Sequence, residues 1–142
     1  MMTHYNKPLP VLNDENRPFW EACRAGRLNM QQCAKCAHMR FPISPFCPRC
    51  LSNEFAWGDL SGRGKVFSFI VFHQAYHAGF KEELPYNVAL VQLDEGPRMF
   101  SNIVDSPNEK VRVGDLVQAV FVEVTPEITI PRFRLFDGLV SA

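Results

Sequence analysis

Long apolar runs and a surplus of charge of either sign are both missing from this sequence. Its longest apolar stretches, residues 66–72 and 116–122, have the length of strands, whereas a membrane-spanning helix needs about 20 apolar residues. The opening residues MMTHYNKP lack the apolar centre of a secretory signal, so we expect a cytoplasmic protein. Fifteen basic side chains balance fifteen acidic ones, a profile that argues against general nucleic-acid binding.

Recognisable catalytic motifs are missing as well. The sequence contains no serine nucleophile elbow, no phosphate-binding glycine loop and no paired-carboxylate motif, and residues 62–64 are too short a match for a phosphate site. His73 and His77 stand four apart near an irregular segment, where that spacing does not place them on one face. His38 follows Cys36 by two residues, but four cysteines already suffice for a metal. We therefore expect no catalytic residues in this chain.

Apolar material is abundant. Of 142 residues, 46% are hydrophobic, twelve are phenylalanine and only 21% are charged, a composition typical of a folded domain with a core. The length suits one compact unit with two parts. In a reducing cytoplasm cysteine pairs stay free of disulfides, which favours metal ligation.

Four of the five cysteines form two C-x2-C pairs, Cys33 with Cys36 and Cys47 with Cys50, separated by ten residues. Four thiolates bind Zn²⁺ in a tetrahedron and leave no position for water or substrate. The spacing predicts one structural zinc ion. A rubredoxin-like iron site uses the same four sulfurs, and two redox-active pairs are the other alternative. Thioredoxin-type pairs belong near a βαβ pattern, which this sequence lacks.

A short helix is predicted before the first cysteine pair. Asn16 stands at its N-cap, Pro18 fits its first turn and Gly26 ends it. Phe19 and Cys23 are four apart and share the apolar face, so Cys23 is predicted to be a small buried apolar residue and not a reactive thiol or a fifth ligand.

The rest of the chain has the alternation of β-strands. Leu28 and Met30 predict a short strand that leads to Cys33, residues 39–46 connect the cysteine pairs, and residues 51–59 have the composition of a linker. Five further strands are predicted at residues 65–74, 86–93, 98–104, 116–125 and 128–136. The longest irregular connection is residues 73–85, and Pro131 places the last strand at an edge or a bulge.

This pattern predicts a mostly β fold with a short N-terminal helix, in which a rubredoxin-like zinc ribbon precedes a five-stranded Greek-key barrel of the OB type. The predicted parts are an N-terminal arm and helix at residues 1–26, the zinc ribbon at 27–58 and the barrel at 59–142. Alternation makes Phe67, Phe69 and Phe121 candidates for the barrel core.

Basic side chains are concentrated near the cysteine pairs. Residues 17–50 carry one acidic residue, Glu21, and six basic ones: Arg17, Arg24, Arg27, Lys35, Arg40 and Arg49. Residues 51–142 carry eight basic and twelve acidic residues. The basic region fits a phosphate-bearing ligand or an acidic partner, and it equally fits a solvated surface that offsets the thiolate charge.

Several motifs together resemble one family. They are Pro18–Trp20, Gly26–Leu28, the two cysteine pairs, Trp57, Ser61–Gly64, Pro85–Tyr86 and Val113–Asp115. In this order, over nearly the whole chain, they resemble the acyl-CoA-associated proteins that combine a zinc ribbon with an OB fold. The cysteine spacing is common to many zinc ribbons, and the flanking motifs make the combination specific.

The resemblance implies a non-catalytic accessory subunit of a thiolase-superfamily enzyme, or of a hydratase-like one, that acts on CoA thioesters by 3-oxoacyl-CoA thiolysis or related acyl transfer. The partner then carries the catalytic residues. Basic side chains expected to meet CoA phosphates are Arg24, Arg27, Lys35, Arg40 and Arg49. Aromatic side chains expected to pack on the adenine or on the partner are Phe41, Phe46 and Tyr86.

Two other functions compete with this one. OB barrels often bind single-stranded nucleic acid with stacking aromatics and a basic groove, but this barrel segment is acidic on balance. A free-standing acyl-CoA or lipid carrier needs an enclosed apolar pocket in the barrel, and five-stranded barrels are usually filled by their own side chains.

Overall fold

A computed structural model describes residues 5–136. Its helix α1 spans Arg17–Arg24. The strands are β1 Leu28–Cys33, β2 Met39–Arg40, β3 Phe55–Leu60, β4 Arg63–Phe72, β5 Tyr86–Leu93, β6 Arg98–Ser101, β7 Ile103–Val104, β8 Leu116–Glu123 and β9 Thr129–Leu135. Short 3-10 helices occupy Ala78–Glu83 and Asn108–Lys110. Within the described part of the chain, no helix has both the length and the apolar character needed to cross a membrane.

The first sheet is antiparallel, in the order β2-β1-β3. β1 pairs with β3 along its whole length, from Leu28 opposite Leu60 to Cys33 opposite Phe55. The prediction of a linker at residues 51–59 is therefore wrong for its second half, and β2 lies inside the segment predicted as a connection. β3 contains Gly58 and Asp59, which have low strand propensity, so its conformation depends on pairing with β1.

The second sheet forms the barrel, in the order β6-β5-β4-β8-β9-β7. β6 and β7 are the two halves of the predicted third strand, interrupted at Asn102. β6 pairs antiparallel with β5, and β7 pairs parallel with β9, so one chain segment joins the two edges of the sheet. The five-stranded OB barrel is confirmed. Pro131 lies at this seam, and its carbonyl oxygen accepts a hydrogen bond from Ser101 Oγ at 2.9 Å.

The prediction that Phe67 lies in the barrel core is wrong. The register of β4 against β5 shifts between Val66 and Ser68, which makes Phe67 the extra residue of a β-bulge. Alternation is reset there, and the Phe67 side chain is 43% exposed. The Arg98 guanidinium carbon lies 3.8 Å from the centre of the Phe67 ring and covers one of its faces. The other two candidates, Phe69 and Phe121, pack against the core as predicted.

The two ends of α1 differ in how their backbone is hydrogen-bonded. Gly26, with φ +77°, follows the last turn, and its N–H donates to the Cys23 carbonyl at 3.0 Å. Asn16 precedes the helix, but its side chain does not cap it. Asn16 Oδ1 instead accepts a hydrogen bond from the Asn13 N–H at 2.8 Å. Asn16 therefore stands at the predicted N-cap position, but its carboxamide stabilises the preceding turn and makes no cap bond to the helix.

A single apolar core connects the ribbon to the barrel. α1 packs on β1 and also on β8 and β9. The buried residues of this core include Phe19, Cys23, Leu28, Met30, Val66, Val91, Val117 and Phe133. Cys23 is completely buried, and burial raises the pKa of its thiol to about 12. This location agrees with the prediction that Cys23 is a small buried apolar residue.

Candidate functional site

The four paired cysteines meet in one cluster at the end of the ribbon sheet. All four Sγ atoms lie within 4.8 Å of one another. The Cys33 and Cys50 sulfurs are 3.5 Å apart, and the Cys36 and Cys47 sulfurs are 3.6 Å apart. A tetrahedron with Zn–S bonds of about 2.3 Å has sulfurs about 3.8 Å apart. The cluster therefore has the size and donor set for one tetrahedral metal ion.

Both cysteine turns present backbone N–H groups to a sulfur. The Lys35 N–H donates to Cys33 Sγ at 3.3 Å, and the Arg49 N–H donates to Cys47 Sγ at 3.4 Å. Hydrogen bonds from backbone amides stabilise a thiolate over a thiol. The turns are thus built for anionic sulfur.

Each turn closes on a residue in the left-handed region. Ala37 has φ +66° and Leu51 has φ +65°. Their N–H groups donate to the carbonyl oxygens of Cys33 and Cys47 at 3.0 and 2.9 Å. The two turns therefore share one backbone shape, although neither uses the glycine that this conformation favours.

The thiol pKa values differ within the cluster. The Cys36 amide, followed by that of Lys35, lowers the pKa of Cys33 to about 6 against the effect of burial. Burial acts on Cys47 too, yet the amides of Cys50 and Arg49 hold the pKa of Cys47 below its usual value. The Ser52 amide lowers the pKa of Cys50, but the neighbouring sulfurs and burial prevail and raise it to about 11. Crowded sulfurs resist a further negative charge, and a bound dication removes that conflict.

The predicted CoA-binding residues have different surroundings. Arg24 at the end of α1 and Arg49 in the second cysteine turn are exposed, and no carboxylate among residues 5–136 forms an ion pair with either. Lys35 is exposed in the first turn, with Nζ 3.6 Å from Glu54 Oε2. These three side chains are open to solvent.

Arg27 and Arg40 are engaged within the protein. Arg27 Nη1 lies 2.7 Å from Asp59 Oδ1, an atom that also accepts from Asn29 Nδ2 at 2.7 Å. Arg40 is only 4% exposed and donates twice to the Ser44 carbonyl, at 3.1 and 2.8 Å. Arg40 therefore has no surface position from which to meet a phosphate, a correction to the predicted set. Sequence separates a buried arginine from an exposed one poorly, because its neighbours come from β1 and a loop.

The aromatic and histidine candidates also include both exposed side chains and side chains that are engaged within the protein. Phe46 is 54% exposed, whereas Phe41 is half-buried, with its ring centre 5.4 Å from that of Phe19. Tyr86 stacks between two phenylalanine rings, each with its centre 5.1 Å away. His77 Nδ1 accepts from the Gly79 N–H at 2.9 Å and caps a 3-10 helix, which gives this side chain a structural role.

Comparison with known proteins identifies two consecutive domains. Residues 20–56 match the family model of the ChsH2 rubredoxin-like zinc ribbon domain, and residues 57–122 match that of the ChsH2 C-terminal OB-fold domain. A zinc ribbon is therefore present. The boundary between the two matches falls inside β3, which pairs with β1.

Relatives carry names of enzyme subunits and of scaffold proteins. A probable enoyl-CoA hydratase alpha subunit of Thermomonospora curvata is 40% identical over 128 residues, 90% of this chain and 40% of that protein. A DUF35 domain-containing scaffold protein of Methanocaldococcus jannaschii is 40% identical over 63% of this chain and 64% of its own length. The benzoylsuccinyl-CoA thiolase subunit BbsA of Thauera aromatica is 36% identical over 59% of this chain and 56% of its length. This chain thus spans less than two thirds of each.

One solved structure matches the whole unit. A chain of the Ltp2-ChsH2(DUF35) aldolase is 39% identical and superposes with a TM-score of 0.80, covering 89% of this chain and 98% of that one. The helix, ribbon and barrel therefore recur together as one unit in that structure.

Proposed function

The chain belongs to the ChsH2 family, which joins a rubredoxin-like zinc ribbon to an OB-fold domain, and we propose that it is a non-catalytic subunit of a complex acting on CoA thioesters. The observation that carries this proposal is the match to 98% of a chain from the Ltp2-ChsH2(DUF35) aldolase. Relatives named as subunits of a CoA hydratase and a CoA thiolase support the same role.

The proposed partner is an enzyme of the thiolase superfamily. In this proposal the partner supplies the catalytic groups for 3-oxoacyl-CoA thiolysis or a related acyl transfer, and this chain supports assembly and CoA binding. The thiolase subunit of Thauera aromatica supports the choice. Recovery of a hydratase or an aldolase as the partner would support the accessory role but contradict the proposed thiolysis or acyl transfer.

The proposed cofactor is one structural Zn²⁺ ion bound by Cys33, Cys36, Cys47 and Cys50. Their sulfurs lie within 4.8 Å of one another, so all four can bind one ion. Four thiolates complete the tetrahedron that Zn²⁺ prefers, so the metal stabilises the fold and has no position for substrate. Metal analysis by mass spectrometry with an absorption spectrum decides between zinc and iron, since ferric thiolate sites are coloured and zinc sites are not.

Contacts with the CoA phosphates are proposed for Arg24, Arg27, Lys35 and Arg49. Arg24 and Arg49 are the stronger candidates, because Arg27 and Lys35 already have acidic neighbours in Asp59 and Glu54. The variants Arg24→Met and Arg49→Met should weaken CoA-thioester binding by the assembled complex and leave assembly unchanged. Unchanged affinity in both would remove these contacts from the proposal.

Purification of the tagged chain from its own cells tests the accessory role. We expect a thiolase-superfamily protein to co-purify in stoichiometric amount, with about one zinc per copy of this chain. The Cys47→Ser variant, which lacks one ligand, is the matched control for dependence on the metal. Recovery of the chain alone, or with nucleic acid, would overturn the proposal.

The nucleic-acid alternative has one observation in its favour. Phe100 is 73% exposed on β6, one of the strands that OB folds use for nucleic acid. Other rings nearby are engaged, since Arg98 covers a face of Phe67 and Tyr86 is stacked between phenylalanines. Base stacking needs free ring faces, so these contacts argue against nucleic-acid binding by these rings. Salt-sensitive retention on a polyanion column would favour nucleic acid instead.

A further inference from the structure

A cavity of about 290 Å³ lies where the N-terminal arm, α1 and the barrel meet. Its walls include the apolar side chains Trp20, Phe41, Phe80 and Ile130 and the cationic side chains Lys7 and Arg132. An engineered cavity of about 150 Å³ accommodates benzene. This one therefore has room for an aromatic ring with a short side chain, and it is far too small for a whole CoA molecule.

The two cations of this cavity lie near each other, and only one of them has a carboxylate partner among the described residues. Lys7 forms an ion pair with Glu83, whereas no acidic side chain in the described residues pairs with Arg132. Arg132 Nη1 donates to Asn102 Oδ1, a neutral acceptor. Burial lowers the pKa of Arg132, and burial followed by the charge of Arg132 lowers the pKa of Lys7. The pair thus carries a surplus positive charge with reduced hydration.

The arrangement combines a cationic end with an aromatic wall. Lys7 contacts the Phe80 ring, with Nζ 5.3 Å from its centre, so the ammonium group sits beside apolar surface. An arginine presents several donors in one plane, which matches the two oxygens of a carboxylate. Ligand pockets typically pair apolar walls with a few placed polar groups of this kind.

We propose that this cavity binds a small amphipathic carboxylate, with its carboxyl group between Arg132 and Lys7 and its apolar body against Trp20, Phe41 and Phe80. The site goes beyond the proposed accessory function, because it uses only this chain and does not require CoA or a partner enzyme. Its ligand class is a monocarboxylic acid with a single aromatic ring or a short alkyl chain.

Titration of the full zinc-loaded chain with 3-phenylpropionate, followed by NMR or calorimetry, tests the site. We expect saturable binding and shifts of signals from Trp20 and Phe80. The uncharged analogue 3-phenylpropan-1-ol, which keeps the ring and loses the charge, should bind about tenfold more weakly or worse. Equal binding of the acid and the alcohol would overturn the carboxylate assignment, and absence of saturable binding would overturn the site.

Two variants and a control locate the binding. Arg132→Gln and Lys7→Gln should each weaken 3-phenylpropionate binding about tenfold. Lys7 lies on the arm outside the sheets, so its variant remains informative if Arg132→Gln fails to fold. Arg134→Gln removes an exposed charge two residues along β9 that does not line the cavity, and it should change affinity less than about twofold. Unchanged affinity in the Lys7 and Arg132 variants would overturn the proposal. So would an equal loss in the Arg134 variant, because the attraction would then be a general effect of charge.

Because this test needs no partner enzyme, its failure is distinct from failure of the accessory role. If the chain co-purifies with an enzyme but does not bind 3-phenylpropionate, the proposed function is supported and the carboxylate site is overturned. If the chain binds the acid but co-purifies with no enzyme, the carboxylate site is supported and the proposed function is overturned.

Discussion

Gln31 of β1 and Arg40 of β2 are direct partners in the ribbon sheet, and Gln31 Oε1 accepts a hydrogen bond from Arg40 Nε at 3.2 Å. The same oxygen accepts from the Ser44 N–H at 2.9 Å. Arg40 in turn donates to the Ser44 carbonyl, so the three residues form a closed set of bonds. This set connects the sheet to the loop that leads to the second cysteine pair.

Arg40→Lys should therefore lower the free energy of unfolding by about 1–3 kcal/mol, because a lysine keeps the charge but cannot make the same planar bonds. The matched change Arg49→Lys, on an exposed residue, should stay within about 0.5 kcal/mol. Denaturant unfolding of both zinc-loaded variants measures the difference. Equal losses would contradict a structural role for Arg40.

Removal of the metal should unfold more than the ribbon. Binding of zinc to a four-ligand site supplies on the order of 10 kcal/mol in zinc-finger peptides. Met30 of the ribbon and Phe133 of the barrel belong to one buried core, so the two parts share their packing. A chelator, or Cys47→Ser, should cause loss of zinc and of ordered signals from both parts, as seen by NMR. Cys23→Ala, which changes a cysteine outside the cluster, should retain one zinc. A barrel that keeps all its signals without metal would contradict this coupling.

Ala37→Gly should stabilise the chain by up to about 1 kcal/mol, because Ala37 has φ +66° and glycine adopts that conformation without steric cost. The control Ala34→Gly lies in the same turn without a positive φ, and it should lower stability by about 0.4–1 kcal/mol through the freedom that it adds to the unfolded chain. Thermal unfolding in the presence of zinc compares the two. Shifts of the same sign would show that the left-handed conformation is not the cause.

The buried thiol of Cys23 should make the free energy of unfolding depend on pH in the alkaline range. Its pKa is about 12 in the folded chain and 9.0 ordinarily. The folded state therefore holds this proton more strongly, and the resulting stability is complete below about pH 9 and is lost as the pH rises towards 12. Between these values the free energy of unfolding should fall more steeply in the wild-type chain than in Cys23→Ala. Parallel curves would show that Cys23 does not contribute.

The sequence predicted those features that depend on local pattern. The helix boundaries follow from Pro18 and Gly26, the barrel strands from alternation and turns, and the cluster of four cysteines from their spacing. Each signal is carried by residues close together in the chain. Such signals survive folding because little in the tertiary structure opposes them.

The incorrect predictions share one cause, which lies outside the local sequence pattern. β3 is a strand because β1 pairs with it, and Phe67 points outward because a bulge resets the alternation. Arg40 is buried beside Gln31 and Ser44, which accept hydrogen bonds from its Nε and Nη2. Each outcome depends on a partner distant in sequence or on a one-residue change of register. The cavity beside Arg132 is of the same kind, since its walls come from six separate segments of the chain.

The packing of α1 against β9 also bears on the order of events during synthesis. Phe19 and Phe133 belong to one core although more than a hundred residues separate them. The two cysteine turns, by contrast, are complete once Leu51 has left the ribosome, because its N–H closes the second turn on the Cys47 carbonyl. A nascent chain can thus form both cysteine turns early, yet the face of α1 that packs on β8 and β9 stays uncovered until those strands emerge. During that interval this face of α1 is exposed apolar surface, on which an incomplete chain can aggregate.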